Sequence, residues 1–235
     1  DGAPPESPSR TVRLEVREDR DTVVAVREEL EWPLARTDWR RLYLSGRGRL
    51  STAAPAGTGT IGFHTRSRAA AFTWSISEDT ELTGPMVARL WVGIDGGGDA
   101  DLFVGAEKWR TGRFVGFEGS YGYGRDRVTT GWQRVSLRAL DPELSRPWEP
   151  VPRCTEPQPL ALGDIAGVDV ALLPSATQFR ARDQLRLVVA GRWPVPRNPV
   201  TGQFPAAYPT SGRGRVILYW GPSHDAHLLV PVIPA

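Results

Sequence analysis

Val87-Ala-Arg-Leu-Trp-Val-Gly-Ile94 is the stretch whose reading decides the fold class. In an extended chain Ala88, Leu90, Val92 and Ile94 fall on one side, and Val87, Arg89 and Trp91 on the other. A period of two with one wholly apolar side marks a strand lying over a core. Short apolar or alternating runs recur on both sides of it, at 11–16, 41–44, 70–76, 102–107, 113–117, 132–137, 168–173, 185–190, 216–220 and 228–233. Turn residues separate them, and the 25 glycines and 21 prolines are spread along the whole chain. No 3.6-residue period is sustained. Residues 32–43 carry weak helical character, and 175–179 suffice for one helical turn. So many short strands with turns between them predict an all-β jelly-roll β-sandwich.

The closing run Leu228-Leu-Val-Pro-Val-Ile233 has little alternation, which implies burial on both faces. Pro231 interrupts it, and a strand proline belongs at an edge or a bulge. The margin of a sheet, with its outer face covered, reconciles the two signals. Two long connections, 141–163 and 193–214, are dense in proline, and loops of that length usually cover or do something. Residues 1–10 read as a linker or tail and 11–235 as one domain.

Composition narrows the function classes. The formal charge is only +2, but the basic side is 28 arginines against a single lysine, Lys108. The arginines alternate with apolar residues along strands and do not cluster, so no nucleic-acid partner is expected. No apolar run reaches the roughly 18 residues of a membrane-spanning helix. The lone Cys154 allows no internal disulfide, and a reducing, cytoplasmic bacterial setting is the natural reading.

The chemistry-bearing residues give few constellations. A nucleophile elbow needs Gly-x-Ser-x-Gly, because that strained turn leaves no room for side chains beside the serine. Ser223 has Gly221 before it but Asp225 after it, and Ser120 has Gly122 after it but Glu118 before it. No catalytic residue is therefore assigned. His224 and His227 flank Asp225, but residues three apart on a strand face opposite ways, which suits no shared metal. Asp95, Asp99 and Asp101 resemble a loose calcium loop without the bidentate glutamate, and turn aspartates commonly cap their own backbone. No metal and no cofactor is expected. Residues 114–124, rich in glycine and aromatics with Trp109 just before them, read as a hairpin packed on the core. The other reading of Trp109, Phe117, Tyr121 and Tyr123 is a platform for sugar rings.

Several segments, taken in order, resemble one family. Glu81-Leu-Thr-Gly-Pro85, Leu90-Trp-Val92 and Asp99-Ala-Asp-Leu102 are similar to the opening of the C-terminal domain in X-Pro dipeptidyl-peptidases and cocaine esterases (the CocE/NonD hydrolases). Leu162-Gly-Asp-Ile165, Pro174 to Phe179 and Leu185-Arg-Leu187 resemble its middle segment, with Ala181 in place of the usual glycine. Trp193-Pro194, Arg197-Asn198 and Thr201-Gly202 resemble a family loop, with the Arg-Asn pair one residue nearer the proline. Gly221 to Ile233 resembles its closing segment, with Ala226 for the common serine, and Glu31-Trp-Pro33 through Leu42-Tyr-Leu44 its start.

The resemblance implies a galactose-binding-domain-like jelly roll, non-catalytic, lying against an α/β-hydrolase domain of the same polypeptide and helping to wall its active site. The triad for ester or X-Pro amide hydrolysis would lie entirely in that other domain, and homo-oligomerisation of the parent stays open. Asp99, Asp101, Trp193, Arg197, Asn198, His224 and His227 are the interface or active-site-wall candidates, with loops 95–101, 141–163 and 193–214 turned toward the catalytic domain. The rival from another class is a free-standing carbohydrate-binding jelly-roll module using the aromatic platform.

Overall fold

The computed structural model describes residues 11–66, 69–117, 126–192 and 214–234. Among these the regular structure is strands and one 3₁₀ turn, Val135–Leu137. The strands are β1 (Val12–Arg17), β2 (Val23–Glu29), β3 (Asp38–Ser45), β4 (Arg49–Ser51), β5 (Gly59–His64), β6 (Ala69–Ser75) and β7 (Thr80–Ile94). They continue as β8 (Asp101–Arg110), β9 (Arg113–Val115), β10 (Thr129–Arg134), β11 (Ala166–Phe179), β12 (Gln184–Ala190), β13 (Arg215–Trp220) and β14 (His227–Ile233).

They form one hydrogen-bonded ribbon in the order β10-β8-β12-β6-β4-β3-β14-β7-β11-β1-β2. β9 is added to β8, and β13 runs beside the end of β7 and carries β5. The ribbon curls at the three-residue β4, so that β8, β12 and β6 face β3, β14, β7 and β11 across a shared core. Leu102, Val104, Ala106, Leu185, Leu187, Val189 and Phe72 supply one side of that core. Leu42, Leu44, Leu82, Met86, Ala88, Leu90, Val92, Val168 and Val170 supply the other. The all-β sandwich expected from the alternation in β7 is what the chain forms.

Some local expectations are overturned. Residues 38–45 are strand β3, and the weak helical pattern of 32–43 yields to pairing with β14 and β4. Residues 175–179 make no helical turn: β11 runs through them after a register shift between Leu172 and Ser175. The strand expected over 132–137 stops at Arg134 and turns into the 3₁₀ segment.

β14 is not marginal either. It lies between β3 and β7, paired with both. The ladder to β7 shifts register between Leu229 and Val232, so Pro231 sits where that ladder is broken and its missing N–H costs nothing there. The full burial of the run was legible; the bulge that lets a proline sit inside the sheet was not.

One charged knot ties both layers. The Lys108 side chain is fully buried, and its Nζ donates to the carbonyls of Glu18 and Gln178, each at 2.6 Å. It lies 3.2 Å from the Asp183 carboxylate and over the Phe179 ring. Asp183 also accepts two bonds from Arg110, at 2.7 and 2.9 Å. A buried ammonium is tolerated only when paired and hydrogen-bonded like this.

Candidate interface face

The side of β7 turned away from the core carries Arg89 and Trp91, and pairing across the sheet lines other side chains up with them. Tyr43 of β3, His227 of β14, Arg89 of β7 and Asp169 of β11 stand directly opposite one another in one row. The next row holds Tyr219 of β13, Trp91 and Gly167. Arg89 donates to Asp169 at 2.5 Å, and its guanidinium lies over the Trp91 ring. A Cβ on Gly167 would come within 3.1 Å of that guanidinium, so glycine leaves the room in which Arg89 lies flat.

His224 comes onto the same face from the turn before β14, which its backbone closes by pairing with Gly221. Its ring meets Trp91 edge-on with centroids 5.0 Å apart, and Tyr219 at 5.8 Å. Asp225 accepts the Trp91 indole N–H at 3.1 Å. The expectation that His224 and His227 face opposite ways fails because β14 begins only at His227. The two rings still engage different partners, and no group of three His, Cys, Asp or Glu side chains suited to a metal forms among the described residues.

His227 is 8% exposed, with its Nδ1 2.5 Å from the Asp225 carbonyl, which accepts its hydrogen. Burial holds this imidazole's pKa below the ordinary histidine value, against the raising effect of that hydrogen bond; Arg41 and Arg89 push it the same way as burial.

At the end of β7 the long loops converge. Gly98 and Leu160 exchange two backbone hydrogen bonds at 2.8 Å, which fixes the end of 141–163 against 95–101. Asp95 N–H donates to the Arg215 carbonyl, bringing the start of β13 to the same corner. Asp99 accepts from the Ala100 and Ser136 N–H groups, both at 2.9 Å, and from the Ser136 hydroxyl at 2.6 Å. Asp101 accepts from Arg134 Nε at 2.9 Å. Asp99 thus caps backbone N–H groups at the 3₁₀ turn, while Asp101 pairs with the Arg134 side chain just before it. At the far side of the 141–163 loop Trp148 stacks on Trp39 of β3, 5.4 Å apart.

The other sequence candidates fall elsewhere. Trp193, Arg197 and Asn198, and Tyr121 and Tyr123 of the proposed sugar platform, lie outside the described residues. Phe117 is 7% exposed, so it packs inward and offers no ring face. Trp109 is half-buried: Arg186 lies over its ring, Phe114 meets it edge-on, and its N–H donates to Glu107. Arg89, Trp91, Tyr43 and Tyr219 were missed as site residues. Only the odd-numbered face of β7 hinted at them, since their neighbours come from distant strands.

This two-layer all-β arrangement matches known proteins. The profile of the X-Pro dipeptidyl-peptidase C-terminal non-catalytic domain covers residues 7–229. The chain belongs to that family. Two solved structures of a CocE/NonD family hydrolase from Staphylococcus aureus share 29% identity with this X-Pro dipeptidyl-peptidase-type C-terminal domain, with TM-scores of 0.88 and 0.90. They match 94% of it, and it spans 41% of their length. An aminopeptidase from the marine sediment archaeon Thaumarchaeota archaeon has a TM-score of 0.65 at 17% identity, over 89% of this domain and 39% of the aminopeptidase. An α-amino acid ester hydrolase reaches 0.56 at 16%, over 82% of this domain and 36% of the hydrolase. Those last two show likeness of fold alone. No curated protein matches the domain.

Proposed function

We propose that this domain packs on an α/β-hydrolase-type catalytic domain of the same polypeptide and forms part of the wall of its active site. The catalytic half would hydrolyse an ester or X-Pro amide through an acyl-serine intermediate. The observation that carries the reading is the cluster of Tyr43, His227 and Arg89 in one row, Trp91 and Tyr219 in the next, and His224 on the turn before β14, all on an outer sheet face. Aromatic, arginine and histidine side chains held in fixed geometry by one another are the make-up of an interface centre, where they cost little ordering entropy on contact. The corner where loops 95–101 and 158–164 meet the start of β13 continues this face, because the Gly93 backbone lies beside both Tyr219 and the Asp164 carbonyl. The sequence candidates His224 and His227 sit on the face itself. Asp99 and Asp101 fix the 95–101 end of that corner through Ser136 and Arg134. The lone, exposed Cys154 suits a reducing, cytoplasmic setting for the whole protein.

The test is association of separately produced halves. This domain should co-elute with the hydrolase domain of its polypeptide. Tyr219→Glu together with His224→Glu should weaken that association at least tenfold, because two like charges placed side by side at an interface centre cannot neutralise each other. Arg113→Glu, exposed on β9 of the other layer, should leave it unchanged. Equal association of all three proteins would remove this face from the interface.

A further inference from the structure

A cleft of about 490 Å³ opens between the two layers beside β1. It exists because β1 meets β11 at a single residue pair, Arg17 opposite Thr177, in parallel. Just before that point the ladder of β11 to β7 shifts register between Leu172 and Ser175. Opposite residues of a strand pair share a face, and Thr177 shares its face with Phe179 of the core. Arg17, and Glu15 two residues before it, therefore stand on the side of the sheet that elsewhere carries apolar side chains. Leu14 and Val16, the buried residues of β1, lie on its other face. Charges turned toward the space between the layers keep that space open.

One wall is the β1–β2 hairpin, and it is fixed in place. The Glu18 carbonyl accepts from Lys108 Nζ, and the Arg20 N–H donates to the Gly116 carbonyl at 3.0 Å. Charges run along this wall in the order Glu15, Arg17, Arg20, Asp21. Arg17 donates to Glu15 at 2.7 Å and to the Arg20 carbonyl at 3.0 Å, and Arg20 Nε lies 3.5 Å from the Asp21 carboxylate. Glu15 accepts from Arg13 as well, whereas the Asp21 side chain is 85% exposed. Arg127 also borders the cleft, but it is bonded to Glu107. The opposite wall is β11, where the Ser175 hydroxyl is buried with no hydrogen-bond partner among the described residues. Buried hydroxyls are normally satisfied, so this one marks a place where a partner belongs.

We infer that this cleft binds a small zwitterion, a free amino acid or dipeptide. Two carboxylates and two guanidinium groups share the hairpin wall, so their charges cancel. A phosphate drawn by Arg17 and Arg20 is repelled by Glu15 and Asp21, and a simple cation meets the reverse. A molecule with one charge of each sign satisfies both. Its carboxylate lies against Arg17 and Arg20, whose planar groups suit two oxygens. Its ammonium lies against Asp21, the less committed of the two carboxylates. Its body passes between Val128 and Ala176, where an inner amide group partners the Ser175 hydroxyl. Small-molecule sites usually enclose about 300–1,000 Å³, so a dipeptide fits. Exposed ion pairs are weak, which makes the affinity modest. The cleft stands at the other end of β11 from Gly167 and Asp169, so it is independent of the interface proposed above.

Titration of this chain with alanyl-leucine to about 10 mM, followed by amide NMR, should saturate. The shifts should centre on residues 15–21 and 175–177. N-acetyl-alanyl-leucine, without the ammonium, and alanyl-leucine amide, without the carboxylate, should each bind at least about tenfold more weakly, since a charge of the wall is then left unmatched. Arg20→Gln with Asp21→Asn, both exposed, should weaken binding by a similar factor and leave the thermal midpoint unchanged. Ser175→Ala should weaken binding at least about threefold without lowering the midpoint, because its hydroxyl makes no bond within the fold. A serine with a purely structural role would move the midpoint and not the affinity, and that result would remove Ser175 from the site. The inference is overturned if no saturable shift appears up to about 10 mM, or if the blocked dipeptides bind as well as the free one. Methyl glucoside or inorganic phosphate shifting the same residues at equal affinity would overturn it too.

Discussion

At the scale of single residues, His227 shows how position sets chemistry. It occupies the first place of a central strand, buried between Tyr43 and the Asp225 carbonyl. Its folded pKa lies below the unfolded value of about 6.5. Above that value both states are neutral and the residue contributes nothing to pH dependence. As pH falls through about 6.5 the unfolded chain takes a proton that the folded one refuses, so stability is lost until the lower folded pKa is passed. The slope from this one group is at most about 1.4 kcal/mol per pH unit. His227→Phe, which keeps a ring beside Tyr43, should flatten the fall in thermal midpoint between pH 6.5 and 5. A variant that tracks the parent across that window would show that the imidazole is protonated in the fold. The sequence offered His227 as an interface candidate but not its burial, because that burial comes from β3 and β7, distant in the chain. Asp99 was legible as a turn-capping carboxylate; that its cap extends to Ser136, and that Asp101 instead pairs with the Arg134 side chain, was not.

At the scale of elements, legibility followed burial. β7 announced itself because one face is apolar over its length, and the structure buries Leu82, Met86, Ala88, Leu90 and Val92 completely. β2 was missed because its apolar run ends after four residues in the charged Arg27-Glu-Glu29, and β5 because Gly59 and Gly62 dilute its pattern. β14 was read as doubly covered yet assigned to a margin: the general rule about proline outweighed the run around it, and a register shift is invisible in one sequence. The strand order makes a quantitative demand. Leu228 is fully buried in the middle of the sheet, and Leu228→Ala should cost about 2–5 kcal/mol. Val26→Ala on the edge should stay within about 0.5 kcal/mol. Denaturant titrations returning similar losses for both would mean that β14 is not central.

At the scale of the whole molecule, the family was readable from ordered motifs, whereas the working face was not. Its residues come from positions 43, 89–91, 167–169, 219 and 224–227, and only the sheet register sets them side by side. The same geometry argues against chemistry in this domain alone. Acyl transfer needs a nucleophile within hydrogen-bond reach of its base, and a third group orienting that base. The polar contact of the His227 ring is the Asp225 carbonyl, and His224 meets the rings of Trp91 and Tyr219. Asp225, which a triad would aim at an imidazole, accepts the Trp91 N–H and lies 3.9 Å from His227 Nδ1, a nitrogen whose hydrogen the carbonyl already takes. The isolated chain should therefore turn over neither a p-nitrophenyl ester nor an X-Pro nitroanilide. His224→Ala and His227→Phe should leave any background hydrolysis unchanged. Turnover that survives purification to homogeneity, is blocked by a serine-directed phosphonate and falls in either histidine variant would place a catalytic centre on this face and overturn its reading as a wall.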